Sequence, residues 1–305
     1  MRDYVIKRVL RSILVLFGLS VAVFVLLSLA GDPATIMLPP EAPMSEVIAL
    51  RKALGFDQPL HVQYWKFLSR AVRGEFGNSW HYGLPSLPLV LEFFPATFQL
   101  ALTALLFALV VGIPLGIISA IREGSLIDGL SLSLGVVGRA MPSFWLGIML
   151  ILVFAVVLGV LPTSGRGTLR HLIMPAITLS TAFLAQIVLL VRSGMLDVMR
   201  EDYINTARAK GLQEFSVNMG HAFRNTLIPV VTMIGLTFGR LLGGSVITET
   251  VFAWPGVGQL AVQAVSARDF PLVQACVVIL ALWIVLANLI VDLLYAYLDP
   301  RIRYG

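Results

Sequence analysis

Few side chains in this 305-residue chain have the types and spacing needed for catalysis or metal binding. The four histidines, His61, His81, His171 and His221, form no metal-ligand spacing with one another, so the sequence predicts no metal site. The single cysteine, Cys276, lies in an apolar run, which favours a buried structural role and excludes an internal disulfide. The sequence contains no P-loop, no HExxH motif and no acidic pair of the intramembrane-protease kind. We therefore predict no catalytic residue.

Arg240 is the most conspicuous polar residue of the apolar segments. A charge deep in a bilayer costs at least about 2.5 to 3.5 kcal/mol unless it faces water or a partner, so we expect Arg240 to point inward. A place on a solute pathway and a structural ion pair are equally good interpretations. The same two interpretations apply to Gln186, Arg139 and Asp292. For Arg139 and Asp292 they are less pressing, because these residues lie nearer the span ends and can pair or reach the interface. Gln186 and Arg240 are our candidate residues for a translocation path.

Gly235, Gly239 and Gly243 recur at every fourth position near Arg240. Such a stripe of small residues lets a neighbouring helix approach closely. Close packing is the favoured interpretation, and the lining of a translocation path is the alternative for these three glycines.

Composition places the chain among integral membrane proteins. Hydrophobic residues make up 58% of it and charged residues only 13%, and the mean hydropathy is +0.89. The net charge of +5 comes from scattered basic residues that form no stripe or aromatic-interleaved patch, so we predict no nucleic-acid partner. Positive-inside topology in a lipid bilayer explains these basic residues better.

Hydropathy predicts an all-α protein with six transmembrane helices. Residues 1–30 hold a short N-terminal segment and the first span, 31–95 form a polar segment outside the membrane, and 96–305 hold the other five spans. A cleaved signal peptide is the alternative for the first span, because Ser28, Leu29 and Ala30 suit a peptidase. In the polar segment, residues 50–54 and 62–72 are predicted helices. The five later spans are expected near 96–121, 131–160, 172–194, 227–249 and 273–297.

The distribution of lysine and arginine predicts the orientation. With Arg192 at the end of its span counted among the residues outside the spans, 12 of them lie on the side of the N-terminus and 3 lie in the short loops opposite. The long 31–95 segment is left out of the count, because the rule fails for segments beyond about 60 residues. Both termini and the loop 196–226 are therefore expected in the cytoplasm, and 31–95 in the periplasm.

Two prolines should bend their spans. Pro114 lies between Gly112 and Gly116, and Pro142 precedes Ser143. Each proline removes a backbone hydrogen bond. Bent helices occur both in pathways that open and in static bundles, so the bends alone do not decide the function.

The stretch 201–229 is too long and polar to be a simple turn between helices. We expect Asp202 to cap a helix over 203–210 and Gly211 to take the left-handed position beyond its end. A second helix is predicted over about 213–225, with Leu212, Phe215, Met219 and Phe223 near one face. A solvated connector is the unremarkable alternative. A docking helix pair in a chain without an ATPase motif instead implies a partner that supplies the energy.

A series of short motifs runs through the chain. Beside 202–212 (DYINTARAKGL) they are 74–79 (GEFGNS), 94–97 (FPAT), 112–116 (GIPLG), 142–147 (PSFWLG), 221–225 (HAFRN), 228–232 (IPVVT), 249–256 (ETVFAWPG), 267–271 (ARDFP) and 299–303 (DPRIR). In this order they resemble the motifs of the inner-membrane permeases of bacterial ABC importers, within the peptide, nickel, glutathione and opine group and as the first permease of the pair. Residues 202–212 stand where these permeases have their EAA coupling loop. Asn205, Thr206 and Ala207 replace the general Glu-Ala-Ala, and the spacing from Gly211 to Pro229 is longer, as is usual in the peptide group.

The resemblance implies a type I importer permease in the bacterial inner membrane. Its expected partners are a second homologous permease, two cytoplasmic ATPases that bind ATP and Mg²⁺, and a periplasmic substrate-binding protein. The chain itself is expected to bind no cofactor and to move peptides or similar solutes inward by alternating access. The residues expected to couple to the ATPases are Tyr203, Asn205, Thr206, Ala207, Arg208, Ala209, Lys210, Gly211 and Leu212.

An ion-coupled secondary transporter or channel is the alternative function. It would need neither a docking loop nor a partner, and inverted repeats with an intramembrane carboxylate network would favour it. Asp292 is the only carboxylate that falls more than one residue inside a predicted span, and no repeat is obvious. A membrane enzyme lacks a candidate nucleophile, and a scaffold would not need bent spans or a glycine stripe.

Overall fold

The structure is a computed structural model that describes residues 2–29, 31–39 and 41–298. Within these ranges the chain is helical, with one isolated bridge between Asn78 and Pro85. The α-helices are α1 (Arg2–Leu29), α2 (Pro33–Met37), α3 (Met44–Leu54), α4 (Leu60–Ala71), α5 (Ser86–Ile121), α6 (Leu126–Ala140), α7 (Ser143–Leu150), α8 (Leu169–Met199), α9 (Asp202–Ala209), α10 (Glu214–Ser216), α11 (Arg224–Val251), α12 (Val257–Ser266) and α13 (Phe270–Leu298). π-Helical segments, Ile151–Val157 and Val217–Phe223, follow α7 and α10.

Five of the described helices are long and apolar enough to cross a membrane: α1, α5, α8, α11 and α13. Helices α6 and α7, with the π-helical residues after α7, pass the same test together and are bent by 109° at their junction. Counting the bent pair as one span gives the six that hydropathy predicts. Pro142 stands at this bend, as expected, whereas α5 continues past Pro114 without a break.

The chain divides into two compact units, Met1–Thr97 with Pro255–Leu289, and Phe98–Trp254 with Ile290–Gly305. In the first unit the core joins α12 to the first half of α13 and to the start of α5. Its buried members include Val90, Leu260 and Cys276, and Phe94 stacks on Trp283 with ring centroids 4.4 Å apart. Cysteine 276 is therefore a core residue, as its apolar surroundings in the sequence predict.

The helix α12 was not predicted, because residues 250–272 lie between two predicted spans and were expected to be a connection. Ten residues are too short to cross a bilayer, so a hydropathy window does not single them out. The hydroxyl oxygen of Thr97 accepts a 2.8 Å hydrogen bond from the backbone N–H of Val257 at the start of α12. This bond satisfies one of the N–H groups that every helix leaves without an intrahelical partner.

Asp269 fastens the loop 74–85 within the first unit. Its side chain is fully buried and accepts hydrogen bonds from the hydroxyl of Ser79, from the N–H of His81 at 3.1 Å and from the N–H of Leu272 at 3.2 Å. The last of these caps the N-terminus of α13, where a carboxylate is also favoured by the helix dipole. One buried carboxylate thus holds two chain segments that are far apart in the sequence.

We expect Asp269→Ala to release residues 77–85, since three donors lose their acceptor at once and each unsatisfied buried donor costs about 1 to 3 kcal/mol. Amide hydrogen exchange of the purified protein should be faster in this loop and in the first turn of α13. Asp57→Ala, which removes an exposed carboxylate, serves as the control and should leave the exchange unchanged. Equal protection of the loop in both variants would show that Asp269 does not hold it.

In the second unit, α8 is the central helix. It is the most buried candidate span, with 61% of its apolar window inside the protein, and α6, α7 and α11 all pack against it. Glycines on α5 and α6 face it closely: a β-carbon at Gly116 would lie 2.7 Å from Cβ of Val191, and one at Gly138 would lie 3.2 Å from Cγ2 of Thr181. Small residues at these positions permit the close approach of the backbones.

Candidate functional site: coupling loop and membrane cavity

The helix α9 forms where local sequence signals place it. The predicted helix over 203–210 is confirmed as Asp202–Ala209, and Gly211 has the left-handed φ of +80° that ends it. The expected cap is wrong: Glu201 occupies the N-cap position without a side-chain hydrogen bond, and Asp202 lies in the first turn. A carboxylate there is still favoured by the helix dipole, which gives a sequence signal close to that of a cap.

One face of α9 is buried within the chain. Ile204 is fully buried and Ala207 is 6% exposed, and this i, i+3 pair faces the π-helical residues Val217–Phe223 against which α9 packs. The amide of Asn225 donates a 2.9 Å hydrogen bond to the Tyr203 hydroxyl, and the guanidinium of Arg208 donates to Glu214 at 2.9 Å across the Gly211 turn. These contacts fix α9 on the chain that follows it.

The other face of α9 is exposed together with the turn that follows. It presents Asn205, Thr206, Ala209, Lys210 and Leu212, and Tyr203 at its edge. Just beyond it the ring of Phe215 is 76% exposed, which is unusual for a phenylalanine in an otherwise polar loop. Ala207, which the sequence analysis grouped with the coupling residues, supports the helix from within and offers no surface of its own.

Residues 214–251 form one uninterrupted helical run, because α10, the segment Val217–Phe223 and α11 follow one another without a gap. The predicted helix over 213–225 is thus the first part of a longer one. The residues buried within the chain are Val217, Asn218 and Ala222, whereas Leu212 and Phe215 of the predicted apolar face are exposed. The π-helical pitch changes the residue spacing there, so a 3.6-residue period does not identify the buried residues.

A cavity of about 230 Å³ lies in the second unit between the α6–α7 bend, α8 and α11. It brings together Gln186 and Arg240, which the sequence analysis picked out separately. The Arg240 side chain is exposed and makes no hydrogen bond or ion pair with any residue in the described ranges. The bend contributes Met141 and Ser143 from the two sides of Pro142.

The glycine stripe does not line the cavity to which Arg240 contributes. Gly235, Gly239 and Gly243 do not belong to the residues that line this cavity. A β-carbon at Gly235 would overlap the side chain of Val291 on α13, so this glycine lies at a helix contact. That placement fits the packing interpretation of Gly235.

Two threonines complete the polar lining, and sequence reasoning did not find them. Thr178 and Thr237 are 3% and 4% exposed, line the cavity, and have hydroxyl oxygens without a hydrogen-bond partner within the described part of the chain. In a helix a threonine hydroxyl usually bonds back to the preceding turn, as Thr181 does to the carbonyl of Ile177 at 2.6 Å. Sequence alone cannot distinguish these two cases.

A buried ion pair, also missed, fastens three helices of the second unit. The guanidinium of Arg192 donates to both carboxylate oxygens of Asp128, at 2.6 and 2.8 Å, and the hydroxyl of Ser119 donates to the same carboxylate at 2.5 Å. Ser125 caps α6 by accepting the N–H of Asp128, so a Ser-x-x-Asp capping pattern was present in the sequence. Residue 128 nevertheless falls between two predicted spans, in a predicted connection.

One motif and one candidate polar residue lie outside what the structure describes. The motif 299–303 falls beyond the described residues, and the side chain of Asp292 is not described either.

The chain matches a known class of transporter subunit. The chain belongs to the family described as binding-protein-dependent transport system inner membrane component, which matches residues 112–304. The N-terminal part of such membrane components matches residues 1–101. The two matches together cover almost the whole chain.

Particular relatives are similar over the full length. The glutathione transport system permease protein GsiC of Escherichia coli K12 is 45% identical over 305 residues, covering 100% of both chains, and GsiC of Shigella dysenteriae serotype 1 matches equally well. Among solved structures, the MetNI methionine ABC transporter in inward-facing conformations gives a TM-score of 0.55 at 20% identity, covering 69% of this chain and 96% of that one. This last likeness concerns the fold alone.

The predicted class is therefore confirmed. The chain is a multi-pass inner-membrane permease subunit of an ABC importer with an all-α fold, and the ATP-binding sites of such importers lie on partner ATPase subunits. A partner permease, ATPases and a binding protein belong to systems of this kind. The ion-coupled alternative does not agree with this family.

Proposed function

We propose that the chain is one half of a two-permease channel that takes glutathione or short peptides from a periplasmic binding protein and releases them into the cytoplasm. The partner permease would be homologous but distinct, and two ATPases would dock on the cytoplasmic side. The cargo class is supported by the 45% identity with a glutathione transport system permease over its whole length. Both termini and the loop 196–226 would be cytoplasmic, residues 31–95 would be periplasmic, and 96–305 would be the transmembrane core.

In this proposal the exposed face of α9 is the ATPase-docking surface. Asn205, Thr206, Ala209 and Lys210 would contact the ATPase directly, while Leu212 and the exposed ring of Phe215 would fill an apolar groove. The charged residues contribute mainly to orientation, because exposed ion pairs are worth little.

The observation that carries the coupling role is the unbroken helix over 214–251. The helix α9 packs on its first residues through Val217–Phe223, and Arg240 lies further along the same helix. A helix transmits a displacement along its length, so movement of α9 by closing ATPases would shift the cavity wall. Alternating access then follows from two arrangements of α11 against α8.

The test is uptake into proteoliposomes that contain the chain with its candidate partner permease and ATPases. Uptake of glutathione should require ATP and Mg²⁺ inside the vesicles, where the ATPases lie. It should also require the loaded binding protein outside. Uptake by this chain alone, indifferent to ATP, would contradict the proposal. ATP-driven uptake of another cargo only would keep the coupling role and refute the cargo.

The turn at Gly211 offers a direct test of coupling. Its φ of +80° is unfavourable for a β-branched residue by about 1 to 2 kcal/mol, and a β-carbon there would meet no atom within 4 Å. Gly211→Val should therefore change the turn without a steric clash. We expect the stimulation of ATP hydrolysis by the loaded binding protein to fall at least about fivefold. A fivefold change corresponds to about 1 kcal/mol, which is of the same order as the backbone strain that valine introduces.

Two variants serve as controls for Gly211→Val. Gly211→Asn should retain most of the stimulation, because asparagine tolerates this backbone conformation. Gly159→Val places the same strain at a φ of +65° in equally open space, outside the loop, and should also retain it. Normal stimulation in Gly211→Val would rule out the turn as part of the coupling surface.

A further inference from the structure

The polar residues that line the cavity between α8, α11 and the α6–α7 bend are basic or neutral. Arg240 contributes a guanidinium and Gln186 an amide, and the hydroxyls of Thr178 and Thr237 have no partner among the described residues. None of the described residues that line the cavity is acidic. The lining thus has a net positive charge and several free hydrogen-bond donors, which favours an anion.

The bend adds a further attraction for negative charge. The helix α7 begins at Ser143, which lines the cavity, and its N-cap residue Pro142 provides no side-chain hydrogen bond. The first N–H groups of a helix lack intrahelical partners and lie at the positive end of its dipole. A broken helix beside a cavity at membrane depth is a usual arrangement for such ligand contacts.

We propose that this cavity binds a carboxylate group of the transported solute and that Arg240 is its principal contact. The inference rests on the proposed function and narrows the cargo to solutes that carry a free carboxylate, such as the C-terminus of a peptide. A guanidinium can hold a carboxylate through two parallel hydrogen bonds, which a neutral ester or amide cannot reproduce. The two threonine hydroxyls and Gln186 donate the remaining hydrogen bonds.

The size and position of the cavity fit a site that the solute occupies briefly during transport. A cavity of about 230 Å³ accommodates an end group and leaves the rest of a peptide outside. The lining comes from the α6–α7 bend, α8 and α11, and α11 is continuous with the helical residues 214–223. A shift of α11 moves Arg240 and Thr237 relative to Thr178 and Gln186 on α8, so the site is complete in only one arrangement of the helices.

Matched pairs of solutes that differ by one carboxylate test the proposal in the reconstituted transporter. The probes are glutathione with its glycyl ethyl ester, and trialanine with trialanine amide. Binding of each probe to the binding protein is measured separately, and uptake is compared at equal occupancy of that protein. We expect the complete transporter to prefer the free acid at least about tenfold, as a charge-assisted contact implies.

Substitutions at Arg240 should remove this preference selectively. In Arg240→Gln the acid-to-ester ratio should fall close to one, while Arg240→Lys should retain part of it because the charge remains. Arg122→Gln removes an exposed arginine beyond the end of α5, outside the cavity, and should leave the ratio unchanged. A ratio unchanged in Arg240→Gln would overturn the proposal.

A second variant keeps the test decisive if Arg240→Gln does not assemble. Thr237→Val removes one donor at nearly constant volume, and it should lower the ratio about threefold, as the loss of one neutral donor implies. An unchanged ratio in Thr237→Val would then overturn the proposal and favour an ion pair between Arg240 and the partner permease. Absence of ATP-driven uptake of all four probes by the unaltered transporter would instead refute the proposed function.

Discussion

Asp128→Ala is expected to destabilise the protein by about 3 to 5 kcal/mol, the cost of leaving one partner of a buried ion pair uncompensated. The Asp128 side chain is 3% exposed and that of Arg192 is 18% exposed. The carboxylate accepts four hydrogen bonds, two from Arg192, one from Ser119 and one from the N–H of Gly124 at 2.9 Å. Alanine removes the acceptor for all four donors and leaves the guanidinium without a counter-charge.

The measurement is unfolding of the purified protein in mixed micelles with increasing SDS. Glu123→Ala is the matched control, because it breaks the neighbouring Glu123–Arg200 pair, whose side chains are 52% and 73% exposed and 3.5 Å apart. That exposed pair should be worth less than about 1 kcal/mol. Similar losses of stability in the two variants would show that the buried pair does not hold α5, α6 and α8 together.

A double variant separates the charge from the packing. In Asp128→Leu with Arg192→Leu, no charge remains to be desolvated, and apolar side chains fill a comparable volume. Buried ion pairs are often replaceable in this way at little cost. Most of the stability lost in Asp128→Ala should therefore return. A double variant as unstable as Asp128→Ala would show that the polar contacts of Ser119 and Gly124 dominate.

The spans and the helix α9 could be predicted from the sequence because their signals are local. Hydropathy over about 20 residues identifies a span, and Gly211 after Lys210 marks the end of a helix. The bend at Pro142 was predictable for the same reason. The signal of α12 is weaker, because a ten-residue amphipathic helix looks like a connection when only spanning length is considered.

The cavity depends on contacts that local signals do not report. Arg240 and Gln186 stood out individually because they break an apolar pattern, yet their sharing of one cavity depends on how α8 and α11 pack. Thr178 and Thr237 gave no signal, since a threonine in a helix usually bonds to its own backbone. Asp128 and Arg192 are 64 positions apart, so their pairing depends on the approach of α6 to α8.

The closest approach of a glycine to the backbone of another helix lies away from the most regular glycine pattern. The stripe at Gly235, Gly239 and Gly243 drew attention by its length, whereas Gly112 and Gly116 were considered only for the proline between them. A β-carbon at Gly116 would lie 2.7 Å from Cβ of Val191 and 2.9 Å from the carbonyl oxygen of Val188. Both neighbours are fixed to the backbone of α8, so neither can move unless α8 moves as a whole.

Gly116→Ala should therefore destabilise the protein by about 1 to 3 kcal/mol, even though alanine is the better helix former. Gly116→Leu should cost more, because a whole side chain would have to separate α5 from α8. Val191→Ala should not rescue either variant, since the Cβ of residue 191 and the Val188 carbonyl both remain. The SDS unfolding midpoint of the purified protein measures each effect.

Two glycines with different surroundings make this prediction decisive. A β-carbon at Gly129 on α6 would meet no atom within 4 Å, so Gly129→Ala should stabilise by about 0.5 to 1 kcal/mol, opposite in sign to Gly116→Ala. At Gly235 the obstacle is the side chain of Val291, so Val291→Ala should partly rescue Gly235→Ala. Equal effects at Gly116 and Gly129 would mean that the packing of α5 on α8 tolerates a methyl group. Stability changes of opposite sign at Gly116 and Gly129 would establish that the backbone of α8 leaves no room for a methyl group at Gly116. Rescue by Val291→Ala at Gly235 would establish that a replaceable side chain is the obstacle there.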